Sequence, residues 1–375
     1  LWLVANSCWA AAPQEAFLGL ANFFPFFALF AAFSVLIEKP SQLRQLAWLM
    51  AIPSLPIVIL GFGQLAWGWS SPKLFIGWTL VAHGEPAGRM SAVFMYANIL
   101  AAYLLIVFIL GLGLWLDTYQ IWRKGVEKHA SLALGFLTVT LIANGLGLIL
   151  TSSRNAWGLA FLGCLAFILY LGWRWLVLGL VAAAGSVLWA SFGPSPGREG
   201  LRRIIPAYFW ARLSDEMYPD CPIATLRATQ WEFAWNMVKQ RPWMGWGLRN
   251  FTPLYQAQMG IWLGHPHNLF LMLMAETGIP ATILSISIVG WIVGQASLLL
   301  KIWSAPSQEK SNPQLQRDRL ILFTYLVAFG GCTLFNLFDV TIFDLRVNTL
   351  GWLLLSAIGG IVHHLTFPVI FSWRF

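Results

Sequence analysis

The amino-acid sequence predicts an all-α integral membrane protein, with roughly ten or more transmembrane helices and one large extracytoplasmic loop that contains an amphipathic helix. Three observations predict it. Of 375 residues, 58% are hydrophobic and only 10% are charged, at a mean hydropathy of +0.68, whereas a soluble domain keeps about a quarter of its residues charged. Apolar runs of the ~20 residues needed to cross a ~30 Å hydrocarbon core recur along the chain. Twenty-two Trp and 27 Phe suit a molecule with two membrane interfaces, where aromatic rings collect.

The runs place spans near 16–37, 45–63, 92–116, 130–150, 155–171, 174–192, 279–300, 319–338 and 347–366. Residues 1–12 read as the tail of a further span whose start precedes Leu1, so additional helices are expected. Only Gly172-Trp173-Arg174 separates the fifth and sixth runs, a tight helical hairpin. Periodicity adds little, because helices that face both lipid and protein are apolar all round. Three regions follow: an N-terminal bundle (1–192), the large loop (193–264) and a C-terminal bundle (265–375).

Loop charge sets the orientation. With the loop at 38–44 on the cytoplasmic side, that side holds eleven cations: Lys39, Arg44, Arg123, Lys124, Lys128, Arg174, Lys301, Lys310, Arg317, Arg319 and Arg374. The short outer loops hold four: Lys73, Arg89, Arg154 and Arg346. Positive residues favour the cytoplasmic side of short loops, and long loops such as 193–264 escape the rule. Arg154, the long loop, residues 339–346 and the start of the helix after the long loop then share one outer face. The net charge of +8 lies between apolar runs, as expected of loops facing anionic headgroups; it forms no basic stripe, and no nucleic-acid partner is expected.

Within the long loop, Trp231, Ala234, Trp235 and Val238 recur at helical spacing over 227–241, ahead of Pro242. This predicts an amphipathic helix resting on the membrane surface. Residues 64–91 form a second outer loop, punctuated by Gly and Pro and partly re-entrant. Cys8, Cys164 and Cys332 lie in apolar runs and Cys221 is alone in the loop; no CxxC pair indicates zinc or a disulfide framework.

The spans carry almost no mid-membrane ionisable residues and no paired Gly/Pro breaks, the usual marks of ion-coupled transport. Chemistry is therefore sought at the outer boundary. Arg154, in Thr151-Ser152-Ser153-Arg154-Asn155, is wedged between two apolar runs. Its planar fork suits a phosphate, though an interfacial Arg also snorkels to headgroups. His267, in His265-Pro266-His267-Asn268, stands at a helix start, where a neutral imidazole can act as a general base or simply bond to backbone. A metal is not expected there, since no His/Asp/Glu cluster surrounds it in sequence. Glu276, nine residues after His267, falls on the opposite helix face and reads as structural, beside Gly278 and Pro280. Asp339, Asp344 and Arg346 either pair among themselves or orient His267 or an Arg. Tyr208, Trp210, Trp243 and Trp246 either stack on sugar rings or anchor at the interface.

These residues together resemble the O-antigen ligase/polymerase superfamily. The resemblance rests on Thr-Ser-Ser-Arg154-Asn-Ala, on the long outer loop, and on His267-Asn268 followed after nine residues by Gly278-Ile-Pro-Ala281-Thr282-Ile283. The family pattern is His, then Asn, Ser or Gln, nine residues and Gly-x-x-Gly-Thr-Val; Ala281 and Ile283 are mild departures. The run Arg227…Trp231…Pro242-Trp-Met-Gly245-Trp-Gly247…Asn250-Phe251 is similar to the segment preceding that His in the family. The likeness covers about residues 90–350, and the Trp-rich N-terminal half looks most like a cyanobacterial branch whose members are named as bicarbonate transporters.

The resemblance implies a bacterial inner-membrane enzyme with a periplasmic loop. It would move a glycan from undecaprenyl diphosphate to a sugar or other hydroxyl acceptor at the outer leaflet, without metal or cofactor. Its partners would be the lipid-linked glycan donor, a glycan or lipid-linked acceptor, and membrane lipids. By motif match Arg154 holds the diphosphate leaving group and His267 deprotonates the acceptor. Arg227 and Asp339 match more weakly as a second phosphate-binding Arg and a carboxylate near the last spans; Asn268 and Arg249 complete the implied substrate-binding set. The branch name points instead to inorganic-carbon transport or an accessory role in it, and a ligase fold that has lost catalysis is a third reading.

Overall fold

The computed structural model of the protein describes residues 1–72, 78–125, 129–216, 223–304 and 312–366. Lys73, Lys128, Cys221, Lys310 and Arg374 therefore lie outside the described residues. The architecture is all-α: among the described residues only an isolated bridge joins Thr79 and Phe94. Among the described residues eight helices are long and apolar enough to cross a membrane: Pro13–Leu36, Pro40–Trp67, Ala97–Arg123, Ala130–Leu150, Arg174–Phe192, Ile279–Trp303, Pro313–Phe335 and Leu345–Leu365. Arg154–Tyr170 is a shorter apolar helix of 17 residues, about 26 Å at 1.5 Å per residue, just under the thickness of the hydrocarbon core.

Two sequence expectations shift. Residues 1–12, read as the tail of a span, instead form the short helix Trp2–Cys8 docked against the 244–277 region, with Trp2 Nε1 donating to the Thr277 carbonyl (2.9 Å) and Asn6 Nδ2 to that of Met244. The span expected at 92–116 begins only at Ala97. Residues 90–94 before it are buried yet not helical, with Met90 and Ala92 fully enclosed, whereas Met95 and Tyr96 are exposed. The Gln64 side chain allows this. Its Oε1 accepts from the Ser91 (3.1 Å) and Ala92 (2.8 Å) amides, and its Nε2 donates to the Val81 carbonyl (2.6 Å) and Ser91 Oγ (3.0 Å). Irregular backbone among apolar helices is tolerated where protein satisfies its polar groups, so hydropathy alone could not tell this segment from helix.

The Ala97–Arg123 helix is the buried axis of the bundle, packed by Pro40–Ala51, Ala130–Leu150, Arg154–Tyr170 and Pro313–Phe335. Close packing of helices in lipid depends on small residues. At Gly113 a Cβ would lie 2.1 Å from Thr324 Oγ1 and 2.8 Å from Thr324 Cβ, whereas at Gly135 it would meet nothing within 4 Å. Gly113→Ala is accordingly expected to cost about 1–3 kcal/mol and lower the melting temperature in detergent. Gly135→Ala should leave it unchanged or raised, since Ala is the better helix former. Equal melting temperatures for the two variants would contradict this packing.

Charges separate the two ends of the bundle. At one end Arg44 reaches Asp318 (2.5 Å) and Asp117 (3.5 Å), Arg317 grips Asp117 in a fork (2.8 and 2.9 Å), and Arg319 Nε donates to Tyr170 Oη (2.7 Å). These are residues the charge count assigns to one membrane side. The opposite end gathers the 78–96 loop, the Thr151–Arg154 turn, the long loop and the 336–346 turn.

Candidate active site

The platform at that opposite end is a backbone crossing. Residues 242–247 run across 275–279, with the Trp246 amide donating to the Ala275 carbonyl (3.0 Å), Gly247 to Glu276 (2.9 Å) and Ile279 to Pro242 (2.8 Å). Only glycine allows so close an approach. Gly278, at φ +87°, would place a Cβ 2.1 Å from the Trp243 carbonyl oxygen, and Gly245, at φ +70°, would place one 2.5 Å from Glu276 backbone. Glu276 serves this scaffold, its buried carboxylate accepting from the Phe251 amide (3.1 Å). Burial pushes its pKa up to about 7.

Helix Arg227–Gln240 rests on the same platform and not chiefly on the membrane surface. Its buried face is Gln230, Phe233, Ala234, Met237 and Val238, packed on Leu269–Thr277. Trp235, expected in that stripe, is exposed; the internal face is taken by Phe233 and Met237, which the Trp-based pattern passed over. Tyr208 is tied by its hydroxyl to the Ile149 carbonyl (2.8 Å) and to Ser152. Guanidinium groups cover one face each of Trp210 (Arg202, 3.9 Å) and Trp246 (Arg241, 4.0 Å).

The platform delivers His267 in a defined protonation pattern. Gln230 Nε2 donates to the Thr225 carbonyl (2.9 Å), which turns Gln230 Oε1 toward His267 Nδ1 at 2.8 Å. An amide oxygen only accepts, so Nδ1 carries the proton and Nε2 keeps a free lone pair. His265 shows the complementary arrangement. Its Nδ1 accepts from the His267 amide (3.2 Å), so its proton sits on Nε2, 3.8 Å from Asp339 Oδ1. Burial holds the pKa of both imidazoles below the ordinary range, that of His265 down to about 4. Asp339 opposes the shift at both rings, and Arg227 reinforces it.

Asp339 is buried and fully engaged. Its Oδ2 accepts from Asn98 Nδ2 (2.7 Å) and its Oδ1 from the Val340 amide (2.9 Å). Asn98 is oriented in turn by Arg89, which donates to Asn98 Oδ1 (2.6 Å) and to the Thr151 carbonyl (2.8 Å). Asp344 and Arg346 pair with each other (2.6 Å). Asn268 caps the following helix, accepting from the Leu271 amide at 3.0 Å.

His265, His267 and Asp339 bring their ligand atoms within 4.8 Å of one another, a cluster invisible in sequence because Asp339 lies far along the chain from the histidines. Zinc bonds of about 2.0–2.1 Å put tetrahedral donors roughly 3.4 Å apart, so these side chains would have to close in to hold an ion, and the Arg227 charge opposes a cation there.

One guanidinium group, that of Arg227, acts on both histidines, and a second, that of Arg154, acts on Arg227. Arg227 makes no hydrogen bond or ion pair among the described residues. It feels the charges of Asp339, Arg154, Tyr96 and Asp215, and partial desolvation lowers its pKa. Arg154 begins the Arg154–Tyr170 helix and pairs with Asp215 at 2.8 Å; Arg212 donates to the Ser152 carbonyl (3.0 Å) and lies 3.8 Å from Asp215. The histidines also border a cavity of about 500 Å³, lined by Tyr96, His265, His267, Thr252, Trp262 and Phe343 together with Glu15, Arg249 and Gln256. Arg154 and Asp339 do not line it. His267 and Asp339 meet in one cluster, but Arg154, His267 and Asp339 do not converge on one cavity; among the described residues Arg154 is linked to the histidines through its charge contact with Arg227.

The model of the O-antigen ligase family matches residues 136–286. That segment of the chain is similar to the O-antigen ligase family. No curated protein matches the chain. The O-antigen ligase match takes in Arg154, Arg227 and His267 and ends beyond Gly278; Tyr96, Arg89, Asn98 and Asp339 fall outside it. With its long apolar helices, the chain is a multi-pass membrane protein.

Within the ligase-family pattern, sequence reasoning found His267 but passed over Gln230, whose carboxamide decides the tautomer, along with Asn98, Tyr96 and Trp262. Gln230 sits three residues after Arg227 in the run that resembles the family, so helical spacing was a usable signal. For Asn98, at the start of a span, the polar side chain at a helix terminus was the only one.

Proposed function

We propose that the protein transfers a glycan from undecaprenyl diphosphate to a hydroxyl acceptor at the outer leaflet of the bacterial inner membrane, with the long loop in the periplasm. The observation that carries this reading is an imidazole, neutral and with Nε2 free, facing a cavity beside a guanidinium that has no partner among the described residues. In the reaction His267 Nε2 takes the proton of the acceptor hydroxyl as its oxygen attacks the anomeric carbon. The bond from that carbon to the diphosphate breaks, and its electron pair leaves on the phosphate oxygen. Asp339 favours the imidazolium that forms. Arg227 and Arg154 stabilise the charge that develops on the leaving group, and the N-terminus of the Arg154–Tyr170 helix adds a favourable dipole. Asn268 positions His267 by capping its helix, and Arg249 belongs to the acceptor side. The clustering of Arg44, Arg317 and Arg319 at the far end supports the orientation.

The test is reconstitution. Purified protein in liposomes, given a fluorescent undecaprenyl-diphosphate glycan and candidate acceptors, is expected to produce a transferred glycan and free undecaprenyl diphosphate. Saturable bicarbonate uptake by the same liposomes, with no turnover of the lipid donor across the acceptors, would sink the transferase reading in favour of transport.

A further inference from the structure

The cavity beside His267 and the guanidinium groups that do not line it are chemically different, and the difference separates the two substrates. Arg154, Arg212 and Arg227 do not line the cavity; where they gather, an anionic group would be met by positive charge. The cavity itself contains one guanidinium, Arg249, and that one is already matched: its Nε lies 2.9 Å from Glu15 Oε2, with the two side chains 40% and 42% exposed. The remaining outer wall is uncharged. Trp262 is 68% exposed and lies over Gly264, where a Cβ would come within 3.4 Å of the ring. Gln256 makes no side-chain hydrogen bond among the described residues and lines the same space. Thr252 Oγ1 donates to the Gly264 carbonyl (3.0 Å) and so fixes the loop that carries Trp262.

An accessible indole beside a free carboxamide suits a pyranose: its apolar C–H face lies on the aromatic ring, and its hydroxyls exchange hydrogen bonds with the amide. The cavity volume is within the ~300–1,000 Å³ typical of small-ligand sites. Its inner end is His267, where an acceptor hydroxyl would have to arrive. We infer that this cavity is the acceptor subsite, that it takes an uncharged saccharide stacked on Trp262, and that Glu15 sets the preference by neutralising Arg249. The inference rests on the glycan-transfer reading for its purpose, but the selectivity it predicts is a property of binding alone.

Binding can therefore be measured without donor lipid. The full chain in nanodiscs is titrated with a labelled neutral hexose trisaccharide and with the same trisaccharide carrying one phosphate. Wild-type protein is expected to prefer the neutral sugar at least about fivefold. Trp262→Ala should weaken neutral-sugar binding about tenfold, the upper range of one aromatic contact. Glu15→Gln should tighten binding of the phosphorylated sugar at least about fivefold, by releasing Arg249 as a charged donor, and leave the neutral sugar within about twofold. That last arm also reports that the variant is folded. Absence of binding by the wild type, preference for the phosphorylated sugar, or indifference to either substitution would overturn the inference. Selective binding without transfer from undecaprenyl diphosphate would instead remove the transferase reading, and transfer with an acceptor KM unchanged in Trp262→Ala would remove only the subsite.

Discussion

Replacing His267 by alanine is expected to reduce glycan transfer about 10²–10⁴-fold, the usual worth of a general base, while the protein still inserts and folds. The ring is partly accessible and its one side-chain hydrogen bond is to Gln230, so little packing is lost with it. The pH profile separates chemistry from structure. Because burial holds the His267 pKa below the ordinary imidazole value of 6.5, its neutral, base-competent form persists as pH falls to 6.5. kcat/KM should stay flat through pH 7 and drop only below that value, as Nε2 protonates. Stability follows the same sign. A histidine whose folded-state pKa is depressed takes up protons more readily when unfolded, so stability present above pH 6.5 is lost as pH falls toward the folded-state pKa. Gln230→Glu provides the companion test. A carboxylate against Nδ1–H favours the imidazolium, so the acid limb should move to higher pH. A Gln230→Glu profile that overlays the wild type, or near-normal transfer by His267→Ala, would show that this imidazole is not the base.

How much of this was legible in the sequence divides along a physical line. The spans were, because each is a local property of some twenty consecutive apolar residues, and so was the sharing of one face by Arg154, the long loop and the 339–346 turn, because span count and loop charge fix parity. The irregular stretch before Ala97 was not. What keeps it from being helical is a hydrogen-bonding carboxamide at Gln64, and hydropathy does not register one polar side chain well upstream. The loop helix was located correctly, but its buried face was assigned by its tryptophans. Phe233 and Met237 took the interior because the helix packs on protein at Leu269–Thr277, which composition cannot distinguish from lipid. At the site, His267 stood out by its helix-start position. Its partners Asp339 and Asn98 come from turns and helix ends whose spatial neighbours are set only by tertiary packing, which is also why the His265–His267–Asp339 cluster could not be anticipated.

The guanidinium groups offer the other large effect. Arg227→Ala is expected to lower kcat about 10²–10³-fold, comparable to losing one donor aimed at developing charge, with a much smaller change in donor KM. The reason lies in timing. A diphosphate already bears charge in the ground state, and the bridging oxygen gains more as its bond to the sugar breaks, so a cation aimed at that oxygen binds the transition state more tightly than the substrate. Arg227 fits this role because no partner among the described residues holds it and because its charge is felt at both histidines. Arg154 is placed differently. Its 2.8 Å pair with Asp215 already spends part of its charge, and the pair also anchors the turn that follows helix Ala207–Leu213. Arg154→Ala should therefore act on donor KM as well as kcat. Asp215→Asn decides which function matters. If Arg154 serves the leaving group, freeing it leaves transfer intact or faster; if it serves only the turn, Asp215→Asn should reproduce the loss seen in Arg154→Ala. A kcat for Arg227→Ala within about threefold of wild type, with only donor KM raised, would mean uniform binding of the lipid phosphate and would leave the departing diphosphate without its proposed cation.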